Sequence, residues 1–266
     1  MSPGRLLYRG GIIAAYVLML APVAALVAIS FFRDEIVSFP PSGFTLHWYA
    51  NGFARSEFMS GFIVSTKVAV LACLIGVPAG TAAALGIARS NLPFKGAFTT
   101  FMLSPLIVPG IVAGTALYLT FLMAQNRLDM DITGTLGGLV AAHVLLAIPW
   151  TVRVVTASLQ GLDGAVEEAA ANLGARPWQV FWRVTLPMLR PGIVAAVMFS
   201  FIQSFENLEL TLLLVGPGMS TLPIEMINYL EFRMDPTLAA VATVQVVLIA
   251  ALMLITDRFV KLSRVV

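Results

Sequence analysis

The sequence predicts an all-α integral membrane protein with six transmembrane helices. Three observations support this prediction: the composition, the lengths of the apolar segments and the distribution of the basic residues. Hydrophobic residues make up 59% of the 266 residues, charged residues make up 11%, and the mean hydropathy is +0.91. Soluble domains carry about 25% charged residues, so the solvent for most of this chain is predicted to be lipid.

Six apolar segments are long enough to cross a bilayer, because a helix needs ~20 residues to span ~30 Å of hydrocarbon. They lie at residues 11–32, 61–88, 98–123, 136–157, 192–215 and 237–259. The first is longer than the apolar region of a signal peptide and lacks a small-residue cleavage site, so we expect it to remain as an anchor. None of the segments shows the strict alternation of a membrane β-barrel strand.

Six crossings with short connections would fill the chain, so we expect a single transmembrane domain over residues 1–266. The lone cysteine, Cys73, has no partner for a disulfide or a cysteine metal site within the chain. The sequence lacks the G-x-x-x-x-G-K-[ST], H-E-x-x-H and G-x-S-x-G motifs. We therefore expect that the chain is not an enzyme, binds no cofactor or metal itself, and has no nucleic-acid partner.

Basic residues concentrate on one side of the predicted membrane. One side carries eleven Lys and Arg residues and the other carries four, with Lys67 inside a segment. The larger set is Arg5, Arg9, Arg89, Lys95, Arg153, Arg176, Arg183, Arg190, Arg258, Lys261 and Arg264, and the smaller set is Arg33, Arg55, Arg127 and Arg233. Because basic loops are retained in the cytoplasm, both termini and the connection between the fourth and fifth segments are predicted to be cytoplasmic.

That connection, residues 158–191, has local signals for two short helices. Asp163 is a predicted N-cap for a helix over residues 163–173, and Gly174 is predicted to end it in the left-handed conformation. Pro177 suits the first position of the second helix. The apolar side chains that could contact another protein are Val166, Leu173, Trp178 and Phe181. The alternative is an amphipathic loop that lies on the membrane surface.

The same connection carries a spaced motif. Glu168-Ala169-Ala170 is followed by Gly174 and then by Val184-Thr185-Leu186-Pro187. This pattern resembles the EAA loop, EAA-x3-G-x9-I-x-LP, of membrane subunits of ATP-binding-cassette (ABC) importers, with valine at the usual isoleucine. The resemblance implies a type I ABC importer permease whose loop docks onto an ATP-hydrolysing subunit. It implies these ATPase-coupling residues: Glu167, Glu168, Ala169, Ala170, Gly174, Leu186 and Pro187.

The resemblance also implies partners and a mechanism. The chain would form half of a translocation pathway in a bacterial inner membrane, beside a second permease subunit that is expected to be a different chain. A dimer of ATP-binding subunits would bind ATP and Mg²⁺, and a soluble binding protein would deliver the solute. Transport would proceed by alternating access. The alternative is a self-contained secondary carrier or channel, which would need no ATPase partner.

Further motifs resemble the second permease of spermidine/putrescine-type importers. They are Phe39-Pro40-Pro41-Ser42-Gly43-Phe44, His47-Trp48-Tyr49, Gly216-Pro217-Gly218, Thr221-Leu222-Pro223, Asp235-Pro236 and Ala239-Ala240, with His143 six residues before Pro149. Relatives that move amino acids, opines, aminophosphonates or iron chelates share these motifs. The resemblance therefore implies a small polar, amine-bearing solute rather than one identified compound.

Two acidic residues in the fifth segment are candidates for the substrate pathway. Glu206 and Glu209 share one helical face and would lie about 13 Å and about 9 Å from the outer end. Carboxylates at such depth need water or a partner, and beside a cavity, with Asn207, they would attract a cationic solute. The alternative is that Lys67, at similar depth, pairs with Glu209. The polyamine-type pattern commonly has further acids where this chain has Asn207 and Gly110.

Overall fold

The computed structural model describes residues 3–91 and 93–260. Within these ranges every regular element is helical, apart from two isolated β-bridges, so the all-α prediction is confirmed. The α-helices are α1 Pro3–Ile29, α2 His47–Ala54, α3 Ser56–Arg89, α4 Lys95–Leu103, α5 Gly110–Leu128, α6 Leu136–Gln160, α7 Gly164–Asn172, α8 Pro177–Val180, α9 Leu186–Phe205, α10 Leu222–Phe232 and α11 Thr237–Val260. A 3-10 turn, Ser104–Leu106, follows α4, and a π-helical segment, Phe181–Thr185, joins α8 to α9.

The helices provide five continuous membrane spans and one broken span within the described residues. The continuous spans are Tyr8–Ile29, Ser56–Arg89, Leu136–Gln160, Pro177–Phe205 and Thr237–Arg258. The third predicted crossing is a bent pair, Lys95–Leu106 and Gly110–Leu128, with 95° between the two parts. A single helix over residues 98–123 was therefore the wrong expectation. Pro105 and Pro109 each remove a backbone donor from this stretch, which accounts for the break.

The fifth crossing ends earlier than predicted. Helix α9 stops at Phe205, and residues 206–215 form turns. Asn207 Oδ1 accepts a hydrogen bond from Leu210 N at 3.0 Å, and Thr211 Oγ1 donates to Asn207 O at 2.8 Å. Side chains that bond nearby backbone groups in this way compete with helix formation. The depths predicted for the two acidic residues of this segment are wrong, because they assumed a helix to residue 215.

The described residues form two compact units. One contains the residues up to 59 together with 226–250, and the expectation of a single domain over 1–266 remains a prediction. In this unit Trp48 Nε1 of α2 donates to Phe32 O at 2.7 Å, and the Arg55 guanidinium lies 4.8 Å from the centre of the Tyr229 ring. The indole of Trp48 is therefore buried within this unit.

The second unit, residues 60–225 with those from 251 onward, is built around α6. Helix α9 packs along α6, and a Cβ at Gly192 would lie 2.6 Å from Ser158 Cβ, so the two backbones approach closely. One buried cluster of this unit contains Val68, Leu139, Val140, Ala142, Leu210 and Leu214. Another contains Ala84, Val155, Leu189 and Ala196. Helices α6 and α9 thus connect residues 158–191 at one end with the turn after Phe205 at the other.

Candidate coupling and substrate sites

The helix and sharp turn predicted after α6 are present. Asp163 Oδ1 accepts from Ala165 N at 2.9 Å and caps α7. Gly174 has a φ of 87°, which is the left-handed conformation that ends this helix without a Cβ clash. Pro177 begins α8. These three local predictions are confirmed. They were possible because a cap, a left-handed glycine and a proline at a first helical position each depend on a few neighbouring residues.

The second helix of this region differs from the prediction. It is not a separate short helix, because α8 continues through the π-helical segment Phe181–Thr185 into α9. Residues Pro177–Phe205 form one span of 29 residues. Leu186 and Pro187 of the motif therefore lie in the first turn of α9. Helix α8 is therefore connected to the fifth crossing by continuous helix.

Large apolar side chains are exposed on both sides of the Gly174 turn. The exposed fractions are 90% for Leu173, 60% for Trp182, 58% for Trp178 and 45% for Val166. Exposed apolar side chains of this size are typical of surfaces that contact another protein or the membrane. Trp182 was missing from the sequence prediction, although an aromatic residue beside Phe181 was a signal for it.

The two adjacent glutamates of the motif have different environments. Glu168 is exposed, as are Ala169 and Gly174. Glu167 is turned inward, where it forms an ion pair of 2.5 Å with Arg89 and accepts a hydrogen bond from the Thr185 hydroxyl. Arg89 Nη2 also donates to Thr185 Oγ1 at 3.0 Å. We call Arg89, Glu167 and Thr185 the coupling cluster.

The coupling cluster connects three elements: the last residue of α3, helix α7 and the π-helical segment. From the sequence, Arg89 was only one of the basic residues that set the orientation, and Thr185 was only a variable position within the motif. A basic residue at the end of the second apolar segment was the available signal for Arg89, but nothing in one sequence indicated its partner. The structure brings together residues that are 78 and 96 positions apart.

Glu206 and Glu209 lie in the turn after α9, and both side chains are exposed. The Asn207 side chain is used to cap the turn at Leu210 N, which fixes its direction. Lys67 is exposed on α3, and no ion pair joins it to Glu209, although the structure describes both residues. The alternative in which Lys67 neutralises Glu209 by a direct ion pair therefore does not occur in this structure.

The turn after α9 packs against the start of α5. A Cβ at Gly110 would lie 2.9 Å from Glu209 Cβ, and a Cβ at Gly114 would lie 3.1 Å from Leu210 Cα. A residue larger than glycine at either position would have to displace the turn. Gly110, which replaces an acid of the polyamine-type pattern, therefore leaves space that the Glu209 side chain occupies.

His143 also contacts this turn and is fully buried in α6. Its Nδ1 is 2.7 Å from Ser204 Oγ, and its Nε2 is 3.1 Å from Thr211 Oγ1. Both hydroxyl groups are buried. From the sequence, His143 was known only as part of a resemblance. A polar residue in an apolar segment was the signal that it contacts other polar groups.

Comparison with known sequences places these features in a group of transport proteins. Residues 76–264 match the profile of a family described as binding-protein-dependent transport system inner membrane component. The putrescine transport system permease protein PotI of Escherichia coli (strain K12) is 28% identical over 244 residues, which cover 91% of this chain and 85% of that protein. The molybdenum transport system permease protein ModB of Mycobacterium bovis is 30% identical over 205 residues, 74% of this chain and 77% of that protein.

A solved structure shows the same fold. A chain in the bacterial alginate ABC transporter bound to an alginate pentasaccharide-bound periplasmic protein has a TM-score of 0.73 against this chain. The two chains are 18% identical, and the match covers 95% of this chain and 93% of that chain. The predicted permease architecture of type I ABC importers is confirmed at the level of the fold.

Proposed function

The chain belongs to the family of binding-protein-dependent inner membrane transport components, and on that premise we propose that it forms half of the pathway by which an ABC importer takes up a small amine-bearing solute. Its role as a permease subunit of an ABC importer follows from the family. The proposed pathway and solute rest on one observation, which is that two sites lie at the two ends of the packed helices α6 and α9. An exposed apolar helical corner lies at one end, and an exposed acidic turn lies at the other.

The energy source is proposed to be a separate pair of ATP-binding subunits, which would bind ATP and Mg²⁺. Curated relatives of this chain are permease subunits rather than enzymes, and the sequence has no phosphate-binding loop. A second permease, expected to be a different chain, and a soluble binding protein would complete the importer. The proposed location is a bacterial inner membrane, with both termini and residues 158–191 in the cytoplasm.

The proposed contact with an ATP-binding subunit is formed by α7, the Gly174 turn and α8. Leu173, Trp178 and Trp182 would fill apolar pockets on that subunit, because their side chains have little cover within this chain. Glu168, Ala169 and Gly174 would contact the partner directly, and Ala170 supports them. Glu167 has a different proposed role, since its carboxylate is already bound by Arg89 and Thr185.

The proposed route for movement within the chain has two branches. One runs from α8 through the π-helical segment, Leu186 and Pro187 into α9. The other runs from Glu167 through Arg89 into α3. When the ATP-binding subunits close, both helices would be displaced, and the pathway would open alternately to the two sides of the membrane.

The proposed solute carries at least one ammonium group. Glu206 and Glu209 present exposed carboxylates three residues apart, outside regular helix. Irregular backbone at the end of a membrane span is typical of positions that face water or line a pathway. PotI is named for putrescine and ModB for molybdenum. Relatedness alone therefore leaves the cargo open, and the two carboxylates are the reason to propose an amine.

The test is uptake of labelled putrescine by the complete importer with Glu206→Gln or Glu209→Gln. Removal of one charge that bonds an ammonium group is expected to raise the KM about tenfold, with a smaller change in kcat. Asp129→Asn is the matched control, because Asp129 is exposed, belongs to the same unit, and has a φ of 50° that asparagine tolerates. If both glutamine variants keep the wild-type KM in a normally assembled complex, the pathway role is excluded.

A further inference from the structure

The turn that carries Glu206 and Glu209 is held at both of its ends by one buried side chain, His143. Ser204 lies in the last turn of α9 just before Glu206, and Thr211 lies just after Glu209. The imidazole contacts the first hydroxyl through Nδ1 at 2.7 Å and the second through Nε2 at 3.1 Å. A single ring on α6 therefore spans the segment that contains both candidate carboxylates.

The hydrogen bonds around the ring have a defined direction. The Thr211 hydroxyl donates its only hydrogen to Asn207 O at 2.8 Å, so it must accept from His143 Nε2. In a neutral imidazole the other nitrogen, Nδ1, then accepts from Ser204. A protonated ring would place a charge in a fully buried site, where its hydrogen-bond partners among the described residues are two hydroxyl groups, and this is costly. The directed chain therefore runs from Ser204 through neutral His143 and Thr211 to the Asn207 carbonyl.

The middle of the turn is fixed by close contact rather than by hydrogen bonds. Helix α5 presents Gly110 to Glu209 and Gly114 to the backbone of Leu210. The turn is therefore supported by His143 near its two ends and by the two glycines of α5 between them. Neither support contacts the carboxylate oxygens by a hydrogen bond among the described residues, so both acids keep their acceptor capacity for a solute.

We propose that His143 is a positioning residue for solute recognition, which sets the direction of the Glu206 and Glu209 carboxylates without contacting the solute. This inference rests on the proposed pathway role of the two acids. A rigid turn presents both carboxylates to an ammonium group with little loss of conformational entropy on binding. A turn released from His143 would present them in several orientations, so the affinity for the solute would fall more than the maximal rate.

Two isosteric variants separate the two hydrogen bonds of the ring. In His143→Asn the amide takes the place of Nδ1 and can keep the bond to Ser204. In His143→Gln the amide takes the place of Nε2 and can keep the bond to Thr211. We expect each variant to raise the KM for putrescine about three- to tenfold, since each loses one of the two buried hydrogen bonds of the ring. Thr151→Val is the matched control, because Thr151 is equally buried on α6, and its hydroxyl bonds Ala147 O and Ser200 Oγ of α9, outside the turn.

A second measurement is independent of the solute. In a Cys73→Ala background, Glu206→Cys is labelled with a charged thiol reagent, with and without His143→Asn, in the complete importer. Release of the turn is expected to change the labelling rate at position 206 at least threefold, whereas Thr151→Val is expected to leave it unchanged.

The outcomes distinguish this inference from the function on which it rests. If Glu206→Gln raises the KM but His143→Asn changes neither the KM nor the labelling rate, the positioning role is overturned and the pathway proposal stands. The same conclusion follows if Thr151→Val matches the effect of His143→Asn, because the effect would then belong to any lost buried polar group. If neither Glu206→Gln nor Glu209→Gln changes the KM, the pathway proposal fails and the positioning role fails with it.

Discussion

At the scale of single residues, Gly174 determines the corner of the proposed coupling loop. Its φ of 87° brings Ala175 N within 3.2 Å of Ala170 O, which closes the end of α7. No atom lies within 4 Å of a Cβ built on Gly174. The requirement for glycine is therefore conformational rather than a matter of space, and it can be tested without disturbing any packing.

Gly174→Ala is expected to destabilise the end of α7 by about 1–2 kcal/mol, the cost of the left-handed conformation for a residue with a Cβ. The amide exchange of Ala175 should then become about five- to thirtyfold faster. Hydrogen-exchange mass spectrometry of the solubilised protein measures this change. Gly164→Ala is the matched control, because Gly164 is the first residue of α7 and its surroundings are equally open. Its backbone is helical, so alanine is favoured there. Equal exchange in the two variants would contradict the conformational role of Gly174.

The local roles of single residues could be predicted from the sequence, whereas their tertiary environments could not. The capping role of Asp163 and the turn at Gly174 were predictable, because each depends on a few neighbouring residues. The different environments of Glu167 and Glu168 were not, because consecutive side chains on a helix point about 100° apart and the direction of α7 was unknown. The same holds for His143, whose partners come from segments that only the packing of α6 against α9 brings together.

At the scale of elements, the coupling cluster joins α3, α7 and the π-helical segment through one carboxylate. Glu167 receives hydrogen bonds from Arg89 and from Thr185, and its partners also bond each other. The Arg89 and Glu167 side chains are 44% and 30% exposed, so the ion pair contributes less to stability than a buried pair would. We propose that the ion pair matters because it connects α7, which would contact the ATP-binding subunit, to the membrane-spanning helix α3.

Exchange of the two charges tests this connection. Arg89→Glu and Glu167→Arg each place like charges together, and each is expected to lower uptake about tenfold while ATP hydrolysis continues. The double variant restores an opposite-charge pair and is expected to recover most of the uptake. Uptake and ATP hydrolysis are measured on the same proteoliposomes. A double variant no better than the single variants would contradict a role for the ion pair in coupling.

The helices themselves were largely predictable, whereas their interruptions were not. Hydropathy located every span, because lipid exposure requires long apolar runs whatever the tertiary fold. The break at Pro109 follows from donors that Pro105 and Pro109 remove, but whether a proline kinks a helix or breaks it depends on the packing around it. The early end of α9 at Phe205 depends on local hydrogen bonds of Asn207 and Thr211 that compete with helix. Asn207 was interpreted as a pathway residue from its neighbours. In the structure its side chain first serves to form the turn that presents them.

At the scale of the whole molecule, the distribution of basic residues predicts an orientation that the cysteine content makes easy to measure. Cys73 is the only cysteine and is buried, so Cys73→Ala gives a thiol-free background. Arg176→Cys and Arg233→Cys then report on exposed positions assigned to opposite sides. A membrane-impermeant maleimide added to spheroplasts should label position 233 at once and position 176 only after permeabilisation. The reverse order would contradict the proposed topology.

We propose that this chain is driven by ATP bound to other subunits and is not a carrier that uses an ion gradient. The direct measurement is putrescine uptake into proteoliposomes that contain the complete importer and its binding protein, with the ion gradients and the enclosed ATP varied independently. We expect uptake whenever ATP and Mg²⁺ are enclosed with the ATP-binding subunits, and no uptake when a proton or sodium gradient is imposed without ATP. Uptake that follows the gradient and persists without ATP would contradict it.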